Sequence, residues 1–288
     1  MKRAILALAA FAAVTGANAL TVTNSNDATV LTNALLGASS GLTIVGGSAS
    51  VAGSATQSGT YTGFNLAPSS GSTPTLNLAN GIVLSSGNAN VSATNTINNT
   101  SVQVGTPGLA SLTTLSGTTT LDASALTFSF TAAAGQNAVT ASFVFGTEEF
   151  PTQSVTDIFG FFVDGVNFAR FSDGSLISNA PGGATNFISN PVGSGLYGIE
   201  YNGLTNVLTV TGLLDSSLDT HTLTIGIADT SDRIFDSGVY IAGLSGTTST
   251  GGGGIDPTPA IPEPETYALM LAGLGLVGWA ARRRKAQA

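Results

Sequence analysis

LTFSFTAAAGQNAVTASFVF, residues 126–145, is the stretch that decides the fold. Leu126, Phe128 and Phe130 alternate with Thr127, Ser129 and Thr131, and past Gly135-Gln136-Asn137 the positions Val139, Ala141, Phe143 and Phe145 keep the same period of two. Successive side chains of a strand point to opposite sheet faces, so this alternation means two strands, each with one buried face. The Gly-containing turn between them predicts a hairpin. Working outward, strands are expected at Leu42–Val45, Ile82–Leu84, Ile158–Val163, Val166–Phe171, Val207–Val210, Thr222–Ala228 and Val239–Leu244. A single helix is expected near the start, over Ala28–Leu36, with caps in Asn24 to Asp27 and Gly37 closing it; Val30, Leu31, Ala34 and Leu35 share one face. The polar stretch Ser85 to Ser101 reads as a mobile loop. Short strands with no helices between them predict an all-β chain, an antiparallel β-sandwich of jelly-roll-like type with one short N-terminal helix.

Composition agrees. Helix-favouring Lys, Glu, Gln and Arg are scarce, whereas Gly, Ser, Thr, Asn and Ala abound. From Leu20 to Ile261, fourteen acidic side chains stand against two basic ones, Arg170 and Arg233, a net charge of −12. That excludes nucleic acid as a partner, because phosphate binding needs clustered Lys and Arg. With no cysteine in the chain, disulfides and thiolate chemistry are excluded and stability must come from burial. About 230 residues between the ends suffice for one sizeable core.

Both ends carry processing signals. Met1-Lys2-Arg3, the apolar run Ala4 to Val14 and the close Ala17-Asn18-Ala19 follow the order of a secretory signal peptide over 1–19, cleaved after Ala19 by the secretion machinery. At the other end, Ile261-Pro262-Glu263-Pro264-Glu265 precedes an uncharged run, 266–281, and then the membrane-stop cluster Arg282, Arg283, Arg284 and Lys285. As a transmembrane helix that run spans about 24 Å against a hydrocarbon core of about 30 Å. Snorkelling arginines and local bilayer thinning close the gap. The basic cluster stays cytoplasmic and everything before it lies outside. IPEPETYALMLAGLGLVGWAARRRK resembles the PEP-CTERM sorting tail of Gram-negative bacteria, with Ile261 where Val is more usual. The resemblance implies an exosortase partner, cleavage near Pro262, Glu263 and Pro264, transient membrane anchoring through the C-terminal helix, and a secreted or cell-surface destination in bacteria that make exopolysaccharide. Residues 247–260, rich in Gly, Thr and Pro, read as a flexible linker between the domain, 20–246, and the tail, 261–288.

Two segments concentrate charge: GTEEFPTQSVTDIFGFFVDG at 146–165 and IADTSDRIFDSGVYI at 227–241, with seven of the fourteen acids. Together with the early helix, GIVLSSG at 81–87 and LSGTTTLDASALTFSF at 115–130, they resemble the choice-of-anchor L domain over Leu20 to Gly246. Thr147 and Phe150 stand where that family commonly has Ser and Tyr. The resemblance implies an extracellular domain shared among different C-terminal anchors and gives no molecular activity; with the sorting tail, the expected reading is a non-enzymatic surface or biofilm-matrix protein with exopolysaccharide as its matrix partner.

Asp229, Asp232 and Asp236 lie in one inter-strand connection, and Glu148, Glu149 and Asp157 bracket another. If both connections occupy one end of the sandwich, hard oxygen ligands surround a common point suited to calcium, which takes six to eight oxygens in irregular loops. The competing reading is that these acids cap turns and stay hydrated. A calcium-dependent carbohydrate-binding or adhesive module is therefore the alternative function, and a polysaccharide-modifying enzyme the second alternative. A glycosidase needs two carboxylates about 5 to 9.5 Å apart on one sugar bond. Adjacent Glu148 and Glu149 should point to opposite faces, which works against them as that pair. His221, the only histidine, reads as a strand-rim residue, and Phe159, Phe161, Phe162, Phe168 and Phe171 read as core, with a carbohydrate-stacking platform as the sharper alternative.

Overall fold

The computed structural model describes residues 19–71, 73–151, 156–178, 183–249 and 255–257. The signal segment before Ala19 and the sorting tail, with its Pro262-Glu263-Pro264 motif, membrane run and Arg282 to Lys285 cluster, lie outside the described residues. Among the described residues, no helix is long and apolar enough to cross a membrane.

In chain order the strands are β1 (Thr21–Asn24), β2 (Leu42–Ile44), β3 (Ser50–Ala52), β4 (Ser58–Thr62), β5 (Asn65–Leu66), β6 (Leu76–Asn77), β7 (Gly81–Ser85), β8 (Thr120–Ala132) and β9 (Ala138–Thr147). They continue with β10 (Ile158–Val163), β11 (Val166–Asn167), β12 (Phe187–Ser189), β13 (Gly203–Thr205), β14 (Leu208–Leu213), β15 (His221–Thr230), β16 (Ser237–Thr247) and β17 (Ile255–Pro257). The larger sheet runs β1-β4-β7-β16-β9; β13 and β14 follow one another along the far edge of β9, β12 lies outside β13, and β17 outside β14. The smaller sheet runs β11-β10-β15-β8, with β2 and β3 along the far edge of β8. All these pairings are antiparallel, as expected of short strands with no helices between them.

The two sheets share one core. Leu126, Phe128 and Phe130 of β8, Phe159 and Phe161 of β10 and Ile225 and Ile227 of β15 pack with Ile82 and Leu84 of β7, Phe143 and Phe145 of β9 and Val239 and Ile241 of β16. Phe143 meets Phe159 with ring centroids 5.1 Å apart. Burying each such side chain stabilises the fold by about 1.5–3 kcal/mol. The alternation in 126–145 is thus read correctly, but the hairpin is not formed. β8 pairs with β15 in one sheet and β9 with β16 in the other. The turn closed by Gln136 N to Ala133 O at 3.1 Å carries the chain across the core. Each strand still buries its apolar face in the shared core, with Phe143 of β9 against Phe159 of β10, so the alternation is satisfied without the two strands pairing.

Helix α1 (Ala28–Leu35) starts where expected: Asp27 Oδ1 accepts from the amides of Thr29 and Val30 at 2.9 and 3.1 Å. Leu31 and Leu35 are buried while Val30 is exposed. The helix ends at an extended Leu36 rather than on a left-handed Gly37. A second helix, α2 (Ala110–Ser116), escapes sequence reading because ASLTTLS carries little helix propensity and is short. Tertiary packing makes it: Leu112 is buried against Ile158, Phe162 and Ala228 on the outer face of the smaller sheet. Gly160 and Gly226, register partners on β10 and β15, leave room for the Leu112 side chain.

The stretch 85–101 is held down rather than free. Ser86, Ala89 and Asn95 are buried, and Asn95 Nδ2 donates to Asn190 O at 2.6 Å and to Asn202 Oδ1 at 2.9 Å. Two strands reach into the stretch 247–260 expected as a linker. β16 runs through Thr247, β17 adds to the edge of β14, and the compact unit extends to Pro257.

Candidate functional site

The strand registers gather carboxylates at one end of the sandwich. β9 ends with Thr147 opposite Ser237, so the next residues outward, Glu148 and Asp236, face each other; the Glu148 amide donates to Asp236 O at 3.2 Å. In the smaller sheet Ile158 lies opposite Ala228, which sets Asp157 against Asp229 one step further out. Like charges directly across a strand pair repel. All four side chains are nonetheless buried, at 1 % exposure or less.

Glu149 joins the second pair. It shares the parity of Phe143 and Phe145, which point between the sheets. Its Oε2 accepts from the Asp157 amide at 2.7 Å, and Ser86 Oγ donates to Asp157 Oδ2 at 3.3 Å. Glu148 shares the parity of Val144, on the outer face of the larger sheet. There Asn202 Nδ2 donates to Glu148 Oε2 at 3.0 Å, and the buried Glu200 accepts from Thr100 Oγ1 at 3.1 Å. What positions Glu200 and Asn202 is the residue between them. Tyr201 lies across Gly146 and Gly238, register partners on β9 and β16, and a Cβ on either glycine would collide with it.

One acid of this end has its own cation. Asp122, fully buried and with a left-handed φ of 44°, pairs with the Arg233 guanidinium and accepts from the Val104 amide at 3.1 Å. At the opposite end of β15, His221 Nδ1 lies 2.8 Å from Asp164 Oδ2, within hydrogen-bond distance. Among the described residues, six buried carboxylate oxygens are left without a hydrogen-bond partner: Glu148 Oε1, Asp157 Oδ1, Glu200 Oε2, Asp236 Oδ1 and both oxygens of Asp229. Ser86 and Asp157 face Asp229 without reaching hydrogen-bond geometry.

This environment opposes ionisation. Burial, then repulsion from Glu200, pushes Glu148 from 4.5 up to about 8. Burial is also the chief cause for Glu149, raised from 4.5 to about 9 despite the stabilising Asp157 amide, with Asp229 and Asp232 adding repulsion. Asp157 is pushed well above the usual carboxylate range by burial and by Glu149 and Asp229. Burial raises Asp229 to about 7, with Asp122 and Asp232 contributing. Burial, then Asp229, raises Asp236 to about 8.

Five of the six acids singled out in the sequence therefore come together, but not around one point. Glu149, Asp157 and Asp229 lie between the sheets, whereas Glu148 and Asp236 lie behind the larger sheet with Glu200. Asp232 joins neither group. It is half-buried and caps its own turn, accepting from the Ile234 amide at 3.2 Å, the role of a hydrated turn acid. Among the described residues no three Asp, Glu or His side chains already converge as a metal centre. Glu148 and Glu149 do point to opposite faces, as their adjacency requires. His221 is buried beside Phe130, with centroids 5.6 Å apart. Phe159, Phe161, Phe162 and Phe171 are buried and Phe168 is partly buried against the core, so these rings form no exposed stacking platform. Sequence reading missed Glu200 and Asp122. The one signal available was an isolated acid in a charge-poor setting, GIEYNG at 198–203 and LDAS at 121–124.

Compared with known families, residues 21–247 match the Choice-of-anchor L domain, most of the chain. The chain belongs to the choice-of-anchor L family. Residues 260–285 match the PEP-CTERM protein-sorting motif. No curated protein and no solved structure matches. In this choice-of-anchor L chain the two sheets lie wholly before the sorting motif, which marks an exported, exosortase-sorted protein of the Gram-negative cell surface.

Proposed function

We propose that this choice-of-anchor L chain is a non-enzymatic module of the cell surface or the exopolysaccharide matrix. In this reading the secretion machinery exports it through residues 1–19, the run 266–281 holds it in the membrane with Arg282 to Lys285 inside, and an exosortase cuts near Pro262 to Pro264. The observation that carries the reading is the joining, in one chain, of a family domain over 21–247 to a sorting motif over 260–285. Its architecture fits such a role. Eight strands divide between the sheets in the orders β7-β16-β9-β14 and β8-β15-β10-β11, a jelly-roll-like order, and jelly rolls include lectin domains. A formal net charge of −12 over residues 20–261 favours solubility and repels other polyanions unless cations bridge them. Burial of the acidic end and the opposed faces of Glu148 and Glu149 weigh against a two-carboxylate hydrolase.

Mass spectrometry of the chain's C-terminus, in the native host and in one lacking its exosortase, tests this. Cleavage near Pro262 that disappears with the exosortase is the expected result, and untrimmed chain in the cytosol of healthy cells would overturn it. Glycan arrays run with and without chelator address the calcium-dependent adhesive alternative. Reducing-end release from polysaccharides would instead identify an enzyme.

A further inference from the structure

We propose that the acidic end of the sandwich binds two divalent cations of the calcium type, an inner ion between the sheets at Glu149, Asp157 and Asp229 and an outer ion behind the larger sheet at Glu148, Glu200 and Asp236. The proposal stands on geometry. Each group contains two acids set opposite one another by strand register, Asp157 with Asp229 and Glu148 with Asp236, an arrangement that, once both are ionised, is repulsive unless something positive lies between them. Each also contains buried oxygens with no partner: both of Asp229 and Asp157 Oδ1 in the inner group, and Glu148 Oε1, Glu200 Oε2 and Asp236 Oδ1 in the outer. The cation this end does possess, Arg233, is already engaged by Asp122.

The ligand chemistry selects the ion. Every available group is an oxygen, with hydroxyls of Ser86 and Thr100 at the margins, and neither imidazole nor thiolate is present. Since no three side chains yet converge, an entering ion must draw its ligands in and complete its shell from main-chain carbonyls, hydroxyls and water. Calcium tolerates such irregular, high-number coordination, whereas magnesium demands a near-ideal octahedron. Two ions rather than one follow from parity, because adjacent Glu148 and Glu149 deliver their carboxylates to opposite faces of the larger sheet. The outer ion would also fasten a loop. Thr100 Oγ1 donates to Glu200, the Asp236 amide donates to Thr100 O at 3.0 Å, and the Val102 amide donates to Asp236 Oδ2 at 2.9 Å.

The test uses the exported chain as recovered from its host, stripped with EGTA and titrated with calcium chloride, with magnesium chloride in parallel. Calorimetry and elemental analysis should give two calcium ions per chain, held roughly tenfold or more tightly than magnesium. Asp229→Asn should lose the inner ion and keep the outer, and Glu200→Gln should do the reverse. Calcium should slow amide exchange over 100–104 in the wild type and in Asp229→Asn, but not in Glu200→Gln. If either variant fails to fold, Asp157→Asn and Asp236→Asn repeat the comparison. Absence of bound calcium at millimolar concentration, or one ion lost equally in both variants, overturns the proposal. Neither outcome touches the export reading, which is decided by the C-terminal cleavage.

Discussion

Stripped of cations, this protein should lose stability as pH rises through the range where most domains are most stable. In the folded state Glu148, Glu149, Asp229 and Asp236 keep their protons to about 8, 9, 7 and 8, while in the unfolded chain carboxyls release them near 4. Between those limits the folded state binds more protons, so stability is fully present below about pH 4 and is lost as pH rises through the folded values. Each such group costs about 1.4 kcal/mol per pH unit. Four acting fully would cost about 5 kcal/mol per unit, and mutual repulsion with partial water entry reduces this to roughly half. From pH 5 to pH 7 the loss is then about 5 kcal/mol, comparable with the whole stability of a domain, about 5–15 kcal/mol. Calcium competes with protons for the same oxygens, so millimolar calcium should flatten or reverse the slope. Urea unfolding at pH 5, 6, 7 and 8, in EGTA and in calcium, measures it. Near-UV circular dichroism of the buried Tyr61, Tyr197, Tyr201 and Tyr240 is the suitable signal, because the one tryptophan, Trp279, lies in the sorting tail. Superimposable EGTA curves from pH 5 to pH 8 would refute the reasoning, since they would mean these carboxyls ionise freely in the folded protein.

Replacing Gly238 with Ala should displace Tyr201 from its seat, cost about 1–3 kcal/mol and alter the near-UV spectrum, with smaller changes far from the acidic end. Arg233→Met strands the buried Asp122 charge and should lower stability by about 3 kcal/mol in urea titrations. Phe143→Ala removes a ring that bridges the two sheets and should cost about 3–5 kcal/mol by the same assay. Asp27→Ala should cost about 1 kcal/mol through loss of the cap on α1.

Features legible in the sequence are those written in short-range periodicity and local chemistry. Alternation from Leu126 to Phe145 gave the buried faces of β8 and β9, Asp27 marked the start of α1, and the order of Pro, apolar run and arginines marked the tail. Strand partners were not legible: the turn at Ala133–Gln136 has the same local form whether it closes a hairpin or crosses a core. α2 was invisible for a related reason, since ASLTTLS is helical only because Leu112 has Gly160 and Gly226 to pack upon.

The acidic end shows the same division. Sequence alone established that acids concentrate at 146–165 and 227–241 in a chain with almost no cations, and that adjacent glutamates on a strand diverge. Only the tertiary structure could pair Glu148 with Asp236 and Asp157 with Asp229, bring in Glu200 from a distant loop, assign Arg233 to Asp122 and leave Asp232 to its turn. Charge count is a property of the chain, but whether a carboxylate meets water, a guanidinium or another carboxylate depends on strand register between segments some 70 to 90 residues apart, such as Asp157 and Asp229 or Glu148 and Asp236. Burying the shared core fixes that register, and no local pattern encodes it.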